Sequence, residues 1–443
     1  RLHTLGLSRS DLMNPETSMT SLNTNIQSAL SGLPTQTVQY TGTDVDDLNQ
    51  FLQNNTGKIV QLTQDIQVYK NTNGSFGIIM VPSDTILDGN GHSLVMKAGY
   101  TEAPDVGVVL YVYKNGVIPS TNCGVKNLST DIPYVNSINV FSADNILLEN
   151  NTLNNATKSG IMISDEYGST VNGIIRGNTI NNVGDDAIAV YGNHSNLLID
   201  SNRISGAKGF AGIAISCLQN GQQIRVDNET TGPHDIIVTG NVVSGCSGEA
   251  LYCIGSYKTY ITYNTLRDSI LEGVCLDSGC IGNYFAHNEV VNNGIAGGLP
   301  GVSIDNGIYN IVDSNNVYNN SCSGIKLVRT GLGNIIVNNI CTDNAYNQMG
   351  AKSSGIDIEP LAVETENLGY IDGLGSNWNV VLNNTVTGSH DFGVFIADDD
   401  TANNGGSSCE NVIMYNKFSS AYTFGAADFS SMSSTVKNNI TLN

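Results

Sequence analysis

The sequence repeats a short apolar segment that ends in asparagine. Segments such as NILLENNTL, NGIIRGNTI, NLLIDSNRI and DIIVTGNVV start with a polar residue, alternate apolar residues and place an Asn before another apolar pair. Most steps between these marker asparagines are 23 to 28 residues. This period fits one coil of a parallel β-solenoid, in which coils stack at ~4.8 Å. The marker asparagines are at positions 151, 178, 202, 241, 264, 288, 316, 339, 384, 416 and 439.

A second apolar segment starts about ten residues after each marker, as in SGIMIS, EALYCI, EGVCLD, PGVSID, SGIKLV and SGIDIE. The first and third residues after the opening small residue are almost always Ile, Val or Leu. These two positions therefore face the core, and the second and fourth face outward. Residues 1–56 instead have a helical period, which predicts a helical cap over the first coil. We predict one all-β solenoid domain at 57–443 behind this cap.

Charge and cysteine content restrict the partners and the compartment. The chain has 40 acidic and 19 basic residues, a net charge of −21, which repels nucleic acids and anionic membranes. No apolar run is long enough for a transmembrane helix, so no membrane insertion is expected. The nine cysteines follow no disulfide framework or zinc spacing, and we predict that most are buried thiols. The start at Arg1 is expected of a processed chain.

With these repeats, residues 57–443 resemble the right-handed parallel β-helix proteins. Most members of that group act on carbohydrates: phage tailspikes, pectin-active enzymes, uronan epimerases, fructan transferases and several glycosidases. The resemblance implies a right-handed parallel β-helix with a short helical N-terminal cap. It does not name the reaction, because one fold carries many activities.

Acidic residues gather in the outward positions of four consecutive coils. Asp277 and Asp305 are at the fourth position, Asp357 and Glu359 share one strand, and Lys326 lies on the coil between. Adjacent coils separate the first pair by ~4.8 Å, and two coils separate Asp305 from Glu359 by roughly 10 Å. These spacings are close to those of retaining and inverting glycosidases, about 5–5.5 Å and 6.5–9.5 Å.

A glycosidase needs one protonated carboxyl group to donate to the leaving oxygen and one carboxylate to attack or to activate water. We predict that Asp305 with either Asp277 or Glu359 forms this pair. Asp357 and Lys326 are predicted to position the sugar or to adjust the pKa of the pair. Two alternatives stay open: the stacked acids bind Ca²⁺, or they simply face solvent with Lys326 and Arg329 pairing them. Otherwise no cofactor or metal is predicted.

Substrate contacts are predicted around the acids. The candidate substrate-binding residues are Lys326, Arg329, Tyr252, Trp378 and Glu272. Insertions at 217–232, 360–376 and 398–408 are predicted to overhang the acidic face, because long loops in a compact domain are usually functional. Further flat surfaces for sugar rings are Tyr191, Tyr257 and Tyr370.

A second motif competes with this site. VGDDAIAV (183–190) resembles the GDDCIAI segment of polygalacturonases, so Asp185 and Asp186 match that family's paired aspartates. The neighbouring coils depart from the family pattern, with Ser159 where it has Asp and Ala211 where it has His. We interpret the two aspartates as turn residues. GPHD (232–235) resembles a mannuronan epimerase motif without its first acid.

These observations predict a secreted glycosidase or glycosyl-transferring enzyme that cleaves a largely neutral oligo- or polysaccharide. Lacto-N-biosidases and inulin fructotransferases are β-helix enzymes of this sort, and Asp357 with Glu364 weakly resembles the spaced acid pair of the former. The alternatives are a polysaccharide lyase or uronate epimerase, with Lys326 or Arg329 as the base, and a noncatalytic glycan-binding adhesin or tailspike. Whether the chain forms a homo-oligomer stays open.

Overall fold

A computed structural model describes residues 8–69, 78–102, 105–217, 232–329, 331–345, 354–360, 375–399, 406–422 and 424–443. The described chain forms two compact units. The first contains the described residues of 16–217 and 233–242, and the second contains those of 8–15, 232 and 243–443. The predicted functional loops centred on 219–230, 361–374 and 400–405, together with Glu364 and Tyr370, lie outside the described residues.

Three parallel sheets form the first unit. Its first sheet contains Thr37–Tyr40, Ile59–Leu62, Ile86–Asp88, Thr121–Lys126, Asp144–Glu149, Val171–Arg176, Ser195–Asp200 and His234–Thr239. Its second contains Ile66–Val68, Ser93–Met96, Ser129–Thr130, Thr152–Asn154, Thr179–Asn181 and Arg203–Ser205. Its third contains Ile79–Met80, Val106–Val109, Asn136–Phe141, Ser159–Ser164, Ile188–Tyr191 and Ala211–Ser216. An antiparallel hairpin, Tyr111–Tyr113 with Val117–Pro119, forms a separate two-stranded sheet.

The second unit has the same three-sheet plan. Its first sheet contains Tyr257–Thr262, Tyr284–Ala286, Ile311–Asp313, Ile335–Val337, Val380–Leu382, Val412–Met414 and Thr435–Lys437. Its second contains Thr265–Arg267, Glu289–Val291, Asn316–Tyr318, Ile340–Thr342, Thr385–Thr387, Lys417–Ser419 and Ile440–Leu442. Its third contains Glu249–Ile254, Val274–Asp277, Val302–Asp305, Ile325–Val328, Ser354–Ile358, Phe392–Ile396 and Phe424–Asp428. The strand Val242–Ser244 has its first residue in the first unit and the rest in the second.

Each coil therefore has three short strands, one more than the two repeated segments suggested.

The core consists of equivalent positions stacked from coil to coil. In the third sheet of the second unit, Val274 pairs with Val302, Val302 with Ile325, and Ile325 with Ile356. All four side chains are buried. Burial of such a side chain stabilises the fold by about 1.5–3 kcal/mol, so stacked columns of this kind contribute substantially to stability.

Asparagine ladders close the turns between the first and second sheets. The side-chain oxygen of Asn288 accepts hydrogen bonds from the main-chain and side-chain N–H groups of Asn264, at 2.9 and 3.0 Å. Asn315 repeats this arrangement on Asn288. The predicted marker Asn316 is wrong by one residue, because the buried ladder member is Asn315 and Asn316 is exposed. Two further ladders contain Asn283, Asn310, Asn334, Asn379 and Asn411, and Asn293, Asn320 and Asn344.

The N-terminal segment contains the helices Arg9–Met13, Pro15–Ala29 and Val45–Asn54 and a 3₁₀ turn, Leu30–Gly32. Asp44 caps the third helix by accepting hydrogen bonds from the N–H groups of Asp46 and Asp47. The strand Thr37–Tyr40 also lies in this segment and pairs in parallel with Ile59–Leu62, so the solenoid begins before residue 57.

Two compositional predictions can be compared with the described chain. None of its helices combines the length and the apolar character that crossing a membrane requires. All nine cysteines are buried, which confirms the burial predicted for them.

Candidate active site

The four candidate catalytic acids lie on or beside three strands of the third sheet in the second unit, and Lys326 lies on the strand between the last two. Asp277 and Asp305 directly follow residues that pair in register, so they occupy equivalent positions on adjacent coils. Lys326 pairs in register with Asp357 on the next coil. Glu359 directly follows the strand Ser354–Ile358. The repeat therefore brings these five residues to one outward face, as the sequence predicted.

This face is not open to solvent at every acid. The exposed fraction is 1% for Asp357 and 8% for Asp305, so the interpretation that these two acids simply face solvent is wrong. The alternation of a strand fixes the direction of a side chain, whereas its burial depends on the groups that pack around it. A buried carboxyl group has to hold a proton or to have charged and hydrogen-bonding partners.

Asp305 is at the centre of the cluster. Its Oδ2 lies 2.9 Å from Nη1 of Arg329, while its Oδ1 is buried without a hydrogen-bond partner among the described residues. Burial, followed by the negative charge of Asp277, raises the pKa of Asp305 to about 8, and the Arg329 cation only partly offsets this. At neutral pH Asp305 is therefore mainly a carboxylic acid that can donate a proton.

Asp277 has a different environment. Its Oδ2 accepts a hydrogen bond from the Tyr252 hydroxyl at 2.5 Å, and its Oδ1 accepts bonds from the main-chain N–H and the hydroxyl of Ser278 at 2.6 and 2.8 Å. All of these groups donate to Asp277, which is the bonding pattern that an ionised carboxylate requires. These bonds orient the carboxylate beside Asp305.

Two glutamates lie where strands of this face begin. The pKa of Glu272 is raised to about 7, first by burial, and the charges of Asp277, Lys326 and Arg329 also act on it. Glu249 acts electrostatically on Tyr252 and on the outward Cys275. Sequence analysis missed Glu249 and Cys275 as members of the cluster. Glu249 opens EALYCI as Glu272 opens EGVCLD, so the repeat itself indicated that Glu249 occupies the position of Glu272 on another coil.

Lys326 links the remaining two acids. Its Nζ lies 3.1 Å from Oε2 of Glu359. The charges of Asp357 and Glu359 raise the pKa of Lys326 despite its burial, so it stays a cation. Burial and the neighbouring Glu359 carboxyl raise the pKa of Asp357 well above its usual range. Neither oxygen of Asp357 has a hydrogen-bond partner of good geometry in the described chain, and both are buried.

Two of the aromatic candidates lie away from these acids along the chain. Trp378 is at the turn that precedes Val380–Leu382 of the first sheet, and half of its surface is exposed. Tyr257 is buried where Tyr257–Thr262 of the first sheet begins. Of the nine candidate site residues, the structure therefore groups eight on one face and places Trp378 on a turn beside it.

The competing aspartates are in the first unit. Asp186 is fully buried, accepts a hydrogen bond from the Tyr191 hydroxyl, and accepts the main-chain N–H of Ala211 at 2.7 Å. Its pKa is raised to about 7, mainly by burial. Because both oxygens hold protein groups, Asp186 has the bonding of a residue that ties two coils together, as expected for a turn aspartate.

In the described ranges, no three His, Cys, Asp or Glu side chains have the geometry to hold an ion. A Ca²⁺ site stays a prediction that only a binding measurement can test.

A model of the right handed beta helix region matches residues 109–231. No curated protein matches the chain. Among solved structures, the catalytic domain of a GH87 α-1,3-glucanase in complex with nigerose has a TM-score of 0.52 and 12% identity, covering 93% of this chain and 68% of its own.

A tailspike protein of E. coli bacteriophage HK620 in complex with a pentasaccharide has a TM-score of 0.52 and 14% identity, covering 86% of this chain and 73% of its own. The A-module of Azotobacter vinelandii mannuronan C-5 epimerase AlgE6 has a TM-score of 0.47 and 13% identity, covering 91% of this chain and 100% of its own. With the three-sheet coils, the family-model match and the likenesses to the glucanase and the tailspike show that the chain has a right-handed parallel β-helix fold.

Proposed function

We propose that this protein is a glycoside hydrolase or glycosyl-transferring enzyme, with Asp305 as the general acid and Asp277 as the nucleophile or base. One observation carries the proposal: a buried carboxyl group with a pKa raised to about 8 lies beside a carboxylate that accepts three hydrogen bonds. Glycosidic cleavage requires this combination of one protonated and one ionised carboxyl group.

The choice of Asp277 over Glu359 follows from the charges. Asp277 is among the groups that raise the pKa of Asp305, whereas Glu359 forms an ion pair with Lys326. Stacking at ~4.8 Å per coil gives adjacent coils the carboxyl spacing of a retaining enzyme. We therefore expect the product to keep the anomeric configuration of the substrate.

The substrate class is a neutral glycan. Lys326 is paired with the Glu359 carboxylate and Arg329 is held against the Asp305 carboxyl group, so both cations already have an acidic partner. The chain as a whole has a net charge of −21, which repels an anionic polymer. The ion pair with Glu359 also disfavours Lys326 as the base of a lyase, because the raised pKa of Lys326 keeps its amine protonated. The saccharide complexes of the GH87 glucanase and of the tailspike support a carbohydrate ligand. A secreted location follows, because polymeric glycans are found mainly outside cells.

The test is product analysis after incubation with a panel of neutral oligosaccharides and, in parallel, with oligouronates. The proposal predicts new reducing ends or transfer products from a neutral glycan, without an unsaturated product that absorbs ultraviolet light. An unsaturated uronate product would indicate a lyase instead. Binding without any product would indicate an adhesin, and either result would contradict the proposal.

A further inference from the structure

The turn between the third and first sheets of the second unit requires a left-handed backbone at one position of each coil. The residues at this position, with φ values from 54° to 62°, are Gly282, Tyr309, Gly333, Trp378 and Glu410. Hydrogen bonds between successive turns stack them in this order. Glycine and asparagine adopt this conformation most readily, and bulky aromatic residues do so rarely. The turn geometry therefore does not explain two large aromatic side chains here.

The two aromatic side chains flank the glycine between them. A Cβ added at Gly333 would lie 2.5 Å from Cε1 of Tyr309, so the Tyr309 ring lies over the space that the glycine leaves. The indole N–H of Trp378 donates to Oε2 of Glu410 at 2.6 Å, which restrains the ring. The exposed fraction is 43% for Tyr309 and 51% for Trp378. Two oriented aromatic rings thus remain open to solvent on one side of the turn.

This turn is connected to the acidic face. The hydroxyl of Ser376, two residues before Trp378, donates to the main-chain oxygen of Glu359 at 2.8 Å. The same hydroxyl accepts the N–H of Gly331, two residues before Gly333, at 3.2 Å. Tyr309 itself follows Asp305 by four residues. The aromatic pair is therefore attached to the coils that carry the candidate catalytic residues.

We propose that Tyr309, Gly333 and Trp378 form a sugar-binding surface that holds one pyranose ring of a neutral glycan beyond the residues at the cleavage point. This inference rests on the proposed function and adds a subsite to it. The apolar C–H face of a pyranose packs on an aromatic ring, and the absent side chain at Gly333 lets the Tyr309 ring lie across this turn with one side exposed. The Glu410 carboxylate at the indole edge favours a neutral sugar over an anionic one.

The chain has one tryptophan, so its fluorescence reports on this surface directly. An array of neutral oligosaccharides identifies the glycans that bind, and titration of the Asp305→Asn variant with one of them follows the emission of Trp378. We expect a saturable change in emission. Tyr309→Ala should weaken binding about tenfold, the typical effect of losing one aromatic binding residue. Trp378→Phe should bind more tightly than Trp378→Ala in the array.

Tyr415→Ala is the matched control, because Tyr415 has a similar left-handed backbone and is 49% exposed at a different turn. It should bind as the parent does. Two results would overturn the inference: no neutral glycan changes the emission, or Tyr309→Ala and Trp378→Ala bind as tightly as the control. Glycan binding that depends on Trp378 without any product would contradict only the proposed reaction. Turnover with an unchanged KM in Trp378→Ala would contradict only the subsite.

Discussion

Replacing Asn315 with alanine tests the ladder that closes the coils. The side chain is 1% exposed and makes four hydrogen bonds. Its oxygen accepts from the main-chain and side-chain N–H groups of Asn288, and its amide donates to Phe285 and Asn339. One buried main-chain N–H left without this acceptor costs about 1–3 kcal/mol, and the other lost bonds add to it. We expect Asn315→Ala to lower the free energy of unfolding by about 2–4 kcal/mol.

The assay is urea unfolding followed by circular dichroism, with Asn316→Ala as the control. Asn316 is the next residue and is exposed, so its replacement should change the free energy of unfolding by about 0.5 kcal/mol or less. Both variants lose the same amide group, and only its position in the coil differs. Equal midpoints for the two variants, at unchanged slope, would refute the ladder as a source of stability.

Three further predictions concern charge and stereochemistry. Burial lowers the pKa of His390 to about 4, so its share of stability is complete above its ordinary pKa of about 6.5 and is lost as the pH falls toward 4, by up to ~3 kcal/mol. Unfolding at several pH values should show less loss in His390→Asn, because asparagine does not titrate and its side-chain oxygen can accept the Asn344 N–H in place of the imidazole. Lys326→Met should lower the free energy of unfolding by about 2–3 kcal/mol, because it leaves the Glu359 carboxylate without its partner. The double variant Lys326→Met with Glu359→Gln should lose less, because the second change removes that carboxylate. Equal losses of the two variants in thermal unfolding would contradict this. Nuclear magnetic resonance of early products should show the substrate's anomer, and the inverted anomer would exclude Asp277 as the nucleophile.

The fold could be predicted because each coil repeats the same requirements. Inward positions need apolar side chains, turns need Asn or Gly, and both requirements recur along the sequence. The position of the ladder at Asn315 could not be separated from Asn316, because two adjacent asparagines fit the pattern equally well and only the packing selects one. The third strand of each coil was missed because three-residue strands such as Glu289–Val291 show little alternation.

The sequence predicted the direction of the acidic side chains but not the groups that pack around them. Alternation placed Asp277, Asp305 and Asp357 on the outward side of their strands, and the structure groups them with Lys326 and Arg329. The pairing of Arg329 with Asp305 depends on how a turn residue of the next coil folds back, which no local pattern records. The burial of Asp357 likewise depends on packing between coils, which no local pattern records. Trp378 was selected by residue type alone, and its position opposite Tyr309 across a glycine emerges only when three turns are stacked.

The most direct test of the account is the turnover of Asp305→Asn. The change removes the proton donor with little change in side-chain shape, so we expect kcat to fall by about 10²–10⁴-fold while glycan binding stays measurable. Asp313→Asn is the control, because Asp313 ends a strand of the first sheet, away from the cluster, and its loss should leave kcat unchanged. In the parent enzyme, kcat/KM should fall as the pH rises through about 8, where Asp305 loses its proton. A folded Asp305→Asn protein that turns over neutral glycans at nearly the parent rate would contradict the assignment of the acid and move the site elsewhere on the solenoid.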